Sequence, residues 1–289
     1  MHRRRFLTIA AAATLARPAR AAAPSVWTGR AMGAAARIVL HGAEPYRAQR
    51  LFARVEAELL RVEAHFSLHT DSALTRLNRD GRLTHPAPEV LALFDLASRV
   101  HAATGGAFDP SIQPLWLAVA TGGDTVAARA LVDWSRLRIG PDEIALAPGQ
   151  SLTFNGIAQG HAADRIAGLL RAEDFGDMLI DMGEVMALGR NGGRAWQAAI
   201  AAPDGAEIAR IGLTDRALAT SSPTGTRIGA AAPHILHPAG LPARWSTVAV
   251  SAPDAATADA LSTAFCLMGR EEINAALAAF HAARIEILS

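Results

Sequence analysis

The sequence contains no lysine, and every side chain with a permanent positive charge is an arginine. Schiff-base catalysis and lysine-based phosphate transfer are thereby excluded, since both need a primary amine. Cysteine is nearly as scarce. Cys266 stands alone, so no intramolecular disulfide can form and no cysteine-based zinc cluster exists. It lies in the apolar run Ala264-Phe265-Cys266-Leu267-Met268, where a free thiol serves as a small buried hydrophobe. Aromatic residues make up only 5%, which leaves Ala, Leu and Ile to fill the core. Neither sign of charge is in excess: the formal net charge is +1, and no basic tract follows the first residues. Nothing in this balance marks a nucleic-acid interface.

What is present is apolar bulk. With 289 residues and 51% hydrophobic side chains, disorder is excluded, and there is room for one elaborated domain or two closely packed ones. Residues 1–23 read as a leader. Arg3-Arg4-Arg5-Phe6-Leu7 runs into an apolar segment at 8–15, and Ala21-Ala22-Ala23 offers a small-residue cleavage site. The Arg-Arg-x-Phe-Leu order suits a twin-arginine signal; an ordinary Sec signal or an uncleaved anchor shares its broad features. Export to the periplasm is therefore expected, with residues 24–289 as the mature domain. No other stretch approaches about 20 uninterrupted apolar residues, so no transmembrane anchor is expected in that part.

Hydrophobic periodicity predicts a helix from Arg47, with Leu51, Val55, Leu59, Val62 and Phe66 on one face. Others are predicted at 88–103, closed by Gly105-Gly106, and at 159–171, 255–267 and 271–281. Short β-like runs occur at 137–139, 144–146 and 152–154. A meander is predicted over 178–181, 185–188, 196–201 and 208–213, and later strands at 247–251 and 284–288. Neighbouring strands mixed with separate helices indicate an α+β fold rather than a βαβ repeat.

Asp259 and Thr263 are four apart on a predicted helix and share a face. A carboxylate beside a hydroxyl gives hard oxygen donors that suit Mg²⁺ better than zinc. An Asp early in a helix serves equally as a cap or a partner of the dipole. Asn155-Gly156-Ile157-Ala158-Gln159-Gly160-His161 lies between a strand-like run and a helix. Its small residues would let backbone N–H groups approach an anion, or would simply make a tight turn. In Thr104-Gly105-Gly106-Ala107-Phe108-Asp109-Pro110, Asp109 is held extended by the proline. Its carboxylate is then free to face a ligand on which Phe108 stacks; the alternative is a helix stop with a buried Phe. Ala219-Thr220-Ser221-Ser222 and His234-Ile235-Leu236-His237-Pro238 add hydroxyls and imidazoles after short strands.

Taken in order, these segments resemble one family. Met32-Gly33, the stretch from Phe66-Ser67 to Asn78, Gly106 to Pro110, Gly156 to Gly160, Ala219-Thr220-Ser221, His234-Ile235 and Asp259 to Thr263 are similar to the FAD:protein FMN transferases, the ApbE family. The resemblance implies an ApbE-type, T-fold-like α+β domain of mixed antiparallel sheets and packed helices. It also implies Mg²⁺ held by Asp259, Thr263 and the carbonyl of Ala158, with Ser262 as an extra ligand. FAD, the substrate, would meet Met32, Ala107, Phe108 and Asp109, with Gly156, Gln159 and His234 near its phosphates. The implied reaction moves FMN to a Thr or Ser of an acceptor redox protein subunit and releases AMP, with His234 or Asp109 as the general base.

The chain departs from the family pattern at five places. Gln159 stands for a lysine, His237 for an aspartate, Ser222 and Glu184 for glycines, and Thr153 for an acidic residue. Glu184 is expected to crowd a ligand or repel its phosphates. These changes keep two other readings in view: a FAD pyrophosphatase that uses water as acceptor, and a non-enzymatic periplasmic flavin-binding protein.

Overall fold

A computed structural model describes residues 23–289, so the expected leader lies, but for Ala23, outside the described residues. The chain enters through a hairpin, β1 (Ser25–Ala31) and β2 (Ala34–Leu40), followed by α1 (Pro45–Phe66), α2 (Ala73–Asp80), β3 (Arg82–Thr84) and α3 (Pro88–Ala103). Next come α4 (Gln113–Thr121), α5 (Thr125–Arg129), β4 (Arg138–Ile139), β5 (Glu143–Ala145) and α6 (Ala158–Arg171). Then follow β6 (Met178–Asp181), β7 (Val185–Leu188), β8 (Trp196–Ala201), β9 (Glu207–Leu213) and β10 (Arg216–Ser221). The chain finishes with β11 (Arg227–Ile228), β12 (Ala232–Pro233), β13 (Val248–Ala252), α7 (Ala255–Phe265), α8 (Arg270–Ala279) and β14 (Arg284–Leu288).

Seven strands form one sheet in the order β1-β2-β6-β7-β10-β13-β14, and every neighbouring pair is antiparallel. Helices α1, α6 and α7 pack on one face over the larger core. On the other face the β8–β9 hairpin covers a smaller core of Leu179, Val185, Ala187, Trp196, Ile200 and Leu218. The expected α+β class holds.

Local chemistry accounts for the helices. Pro45 and Pro88 open α1 and α3 at positions where a missing N–H costs nothing. Ser72 and Thr75 close a capping box on α2, and left-handed Gly81 ends it. Gly105 and Gly106, both at positive φ, follow α3 as expected.

Two expectations need correction. Residues 152–154 form no strand. Their backbone is satisfied elsewhere: Leu152 N–H donates to Asn78 Oδ1 at 2.7 Å, its carbonyl accepts from Asn78 Nδ2 at 2.8 Å, and Thr153 N–H donates to the Pro110 carbonyl. The meander also breaks after β7, because β8 and β9 pair only with each other. Trp196 anchors that hairpin by donating from Nε1 to the Leu188 carbonyl at 2.9 Å.

Candidate functional site

The seam between α6 and α7 brings two rows of residues together. Asp164, Gly160 and Gly156, spaced by four, run along one side. Ala255, Asp259 and Thr263, spaced likewise, run along the other. At the first level, Asp164 accepts the N–H of Ala255 at 2.7 Å and of Ala256 at 2.9 Å, covering two of the open donors at the start of α7. Asp254 covers another by accepting Thr257 N–H at 2.8 Å. At the second level, Gly160 N–H donates to Asp259 Oδ2 at 3.1 Å. A Cβ on Gly160 would overlap the Ala255 carbonyl and lie 2.7 Å from Ala256 N, so only glycine permits this approach. At the third level, a Cβ on Gly156 would lie 3.1 Å from Thr263 Oγ1 and 3.5 Å from the Phe108 ring.

Every residue of α7 except Thr263 is buried. Asp259 is therefore no helix cap; Asp254 has that role. Burial pushes the Asp259 carboxyl up to about 7, with Asp164 adding and the Gly160 N–H opposing. Ser221, at the end of β10, shares hydrogen bonds with Ser262 Oγ at 2.8 Å and with Thr263 Oγ1 at 3.3 Å. Ser262 Oγ also donates to the Asp259 carbonyl at 3.0 Å. The Cys266 thiol is buried, which pushes it up to about 12, and it donates to the Ser262 carbonyl. It is the inert hydrophobe expected.

The other predicted residues are placed by contacts of their own. Ala158 opens α6 between Gly156 and Gly160 and is buried. Met32 lies in the left-handed region at φ +48°, and its N–H donates to Glu63 Oε1 at 2.9 Å, tying the β1–β2 turn to the end of α1. From that end Phe66 packs on Phe154, just before the glycine turn. Phe108 is buried against Gly156 rather than presented for stacking, with Ala107 buried beside it. His101 Nδ1 donates to the Phe108 carbonyl at 2.9 Å. Asp109 Oδ1 accepts both the N–H (2.8 Å) and the hydroxyl (2.6 Å) of Ser111, capping a short 3₁₀ turn. Burial raises this carboxyl. His234 Nδ1 donates to the carbonyls of Pro223 at 3.0 Å and Thr226 at 3.1 Å, which joins it to the loop following β10. Gln159 places its amide against Gly183.

One residue of the site's construction was passed over by periodicity and motif order: Asp164, which sets the start of α7 and follows Gly160 by one helical turn. Asn78, the end of a motif stretch, holds the segment leading into the glycine turn. Glu184, a departure from the family pattern, accepts Thr220 N–H at 3.3 Å beside Ser221. Among the described residues, no three His, Cys, Asp or Glu side chains gather at metal-ligating spacing.

Fold and seam together define the class: an α+β protein with an all-antiparallel sheet, whose oxygen donors and glycine turn meet between two helices. The chain belongs to the ApbE family, whose model matches residues 32–288. It is 29% identical to a FAD:protein FMN transferase of Klebsiella pneumoniae (strain 342), over 90% of this chain and 83% of that one. A protein of the same name from Escherichia coli (strain K12) is 25% identical over 86% and 79%. Among solved structures, the apo flavinyl transferase ApbE of Pseudomonas stutzeri superposes with a TM-score of 0.77 at 27% identity, covering 91% of this chain and 90% of that one. Flavin transferase ApbE of Vibrio cholerae superposes at 0.80 and 24% identity, covering 91% and 93%.

Proposed function

We propose that the chain is a FAD:protein FMN transferase that uses Mg²⁺ to move FMN from FAD to a Thr or Ser hydroxyl of an acceptor redox protein, releasing AMP. The observation that carries this reading is the meeting of Asp259, Thr263 and the Gly156–Gly160 turn in one seam, within a chain of this family.

The donor set fits Mg²⁺ by its chemistry. Asp259 carboxylate, Thr263 hydroxyl and Ala158 carbonyl are all hard oxygens, and no softer ligand stands among them. Bound there, Mg²⁺ would neutralise charge on the diphosphate. The chain's own groups supply the rest. Gly160 N–H orients the Asp259 carboxylate, and the small side chains of the turn let backbone approach a phosphate. His234 is oriented by its Nδ1–H, which donates to two carbonyls. In the proposed reaction His234 or Asp109 takes the acceptor's hydroxyl proton. The acceptor oxygen bonds to the FMN-side phosphorus, the bridging P–O bond breaks, and AMP departs with its electrons. Of these two, Asp109 accepts from Ser111 through Oδ1. The Arg-Arg-x-Phe-Leu leader supports placing this reaction in the periplasm.

AMP release from FAD is the test, measured with Mg²⁺ and a flavinylatable acceptor domain, for the native chain and Asp259→Ala. The variant is expected to stay folded and to lose turnover on the order of 10²-fold or more. Near-native turnover by the variant would reject the metal assignment. AMP and free FMN formed without acceptor would instead mean that water is the acceptor.

A further inference from the structure

The turn between β6 and β7 carries a carboxylate that the reaction above leaves unused. Gly183 has φ +100°, and a Cβ there would lie 2.8 Å from the Gln159 amide nitrogen. Glu184 follows it and is directed inward rather than across the turn. It is buried, and its Oε2 accepts Thr220 N–H at 3.3 Å. Thr220 immediately precedes Ser221, whose hydroxyl meets Ser262 and Thr263. The Glu184 carboxylate is thus held on the backbone one residue before Ser221, whose hydroxyl meets α7, while Gln159, against Gly183, precedes the Gly160 N–H that meets Asp259.

Two buried carboxylates here lack a basic partner. Among the described residues, neither Glu184 nor Asp259 takes part in an ion pair. The position facing Gly183 holds the neutral Gln159. Burial chiefly raises the Glu184 carboxyl well above its usual range, and Asp259 and Asp181 add to this while the Thr220 N–H opposes. Like charges brought together without water are costly unless a cation or a proton joins them. A divalent cation between one carboxylate from the sheet and one from the helix removes that cost.

We propose that Glu184 is a second carboxylate ligand of the divalent-cation site, giving it two formal negative charges and allowing the metal to bind before FAD. The proposal rests on the assignment of the metal to Asp259 and Thr263. It is tested without flavin, by electron paramagnetic resonance titration of the mature protein with Mn²⁺ and competition by Mg²⁺. The native chain is expected to bind one Mn²⁺, with affinity weakened about tenfold or more in both Glu184→Gln and Asp259→Asn. Glu184→Gln should melt in EDTA near the native temperature, because the amide oxygen can still accept the Thr220 N–H; a large loss would mean the substitution disturbs the fold. Weakening in Asp259→Asn but not in Glu184→Gln overturns this proposal and leaves the metal assignment standing. Native affinity in both variants overturns both. If Glu184→Gln fails to fold, Glu184→Asp serves in its place; retraction by one methylene weakens binding of a true ligand and leaves a bystander's value unchanged.

Discussion

Gly160 lacks a side chain, and that lack sets how near α6 lies to α7. Its N–H reaches Asp259, and its α-carbon rests on the Ala255–Ala256 peptide. Gly160→Ala must push the helices apart, because the obstacle is backbone and cannot rotate away. We expect a loss of about 1–3 kcal/mol in urea-unfolding stability, together with weakened metal binding. A variant with native stability would mean that the seam is looser than these contacts imply. Asp259 shows the complementary constraint. It is buried without a basic partner, a placement that core packing alone does not favour.

At the scale of elements, α7 depends on a carboxylate from another helix. Asp164 spans the Ala255 and Ala256 N–H groups, while burial pushes its own carboxyl up to about 7. The sign follows from linkage. The folded chain keeps this proton in the window from its ordinary value of 3.8 to about 7, where the unfolded chain has released it. Its contribution to stability is thus full below that window and is lost as pH rises through it. In EDTA, Asp164→Asn should flatten the decline in stability between pH 4 and 7 by at most about 1.4 kcal/mol per pH unit. An unchanged slope in chemical denaturation would show that Asp164 ionises as readily in the folded chain as in the unfolded one.

The same elements show what a single sequence discloses. The rows Leu51–Phe66 and Val90–Val100 carry their helical period openly, and the observed helices match them. The Asp259/Thr263 spacing was legible for the same reason, since both residues lie on one helix. Residues 152–154 looked like a strand because their apolar character cannot reveal that Asn78, distant in sequence, takes their hydrogen bonds. Asp164 and Gly160 likewise gain their meaning only when α7 is laid against them. Strands β1 and β2 carried no clear alternation, and their pairing depends on Met32 and Gly33 turning at positive φ.

Over the whole molecule, one sheet bears both halves of the candidate site. Strand β10 brings Ser221, the β6–β7 turn brings Glu184, and α6 and α7 cross the same face with their glycines and oxygen donors. Among the described residues no helix is long and apolar enough to cross a membrane. The far face is closed by the β8–β9 hairpin, which contributes none of the candidate residues. This arrangement gives the proposed transfer one side on which FAD and an acceptor chain must meet. The most direct measurement is the intact mass of a flavinylatable acceptor domain after incubation with the mature chain, FAD and Mg²⁺. The expected result is a gain of one FMN less one water, on a Thr or Ser, abolished by EDTA. An unmodified acceptor, with FAD and metal both bound to the chain, would contradict it.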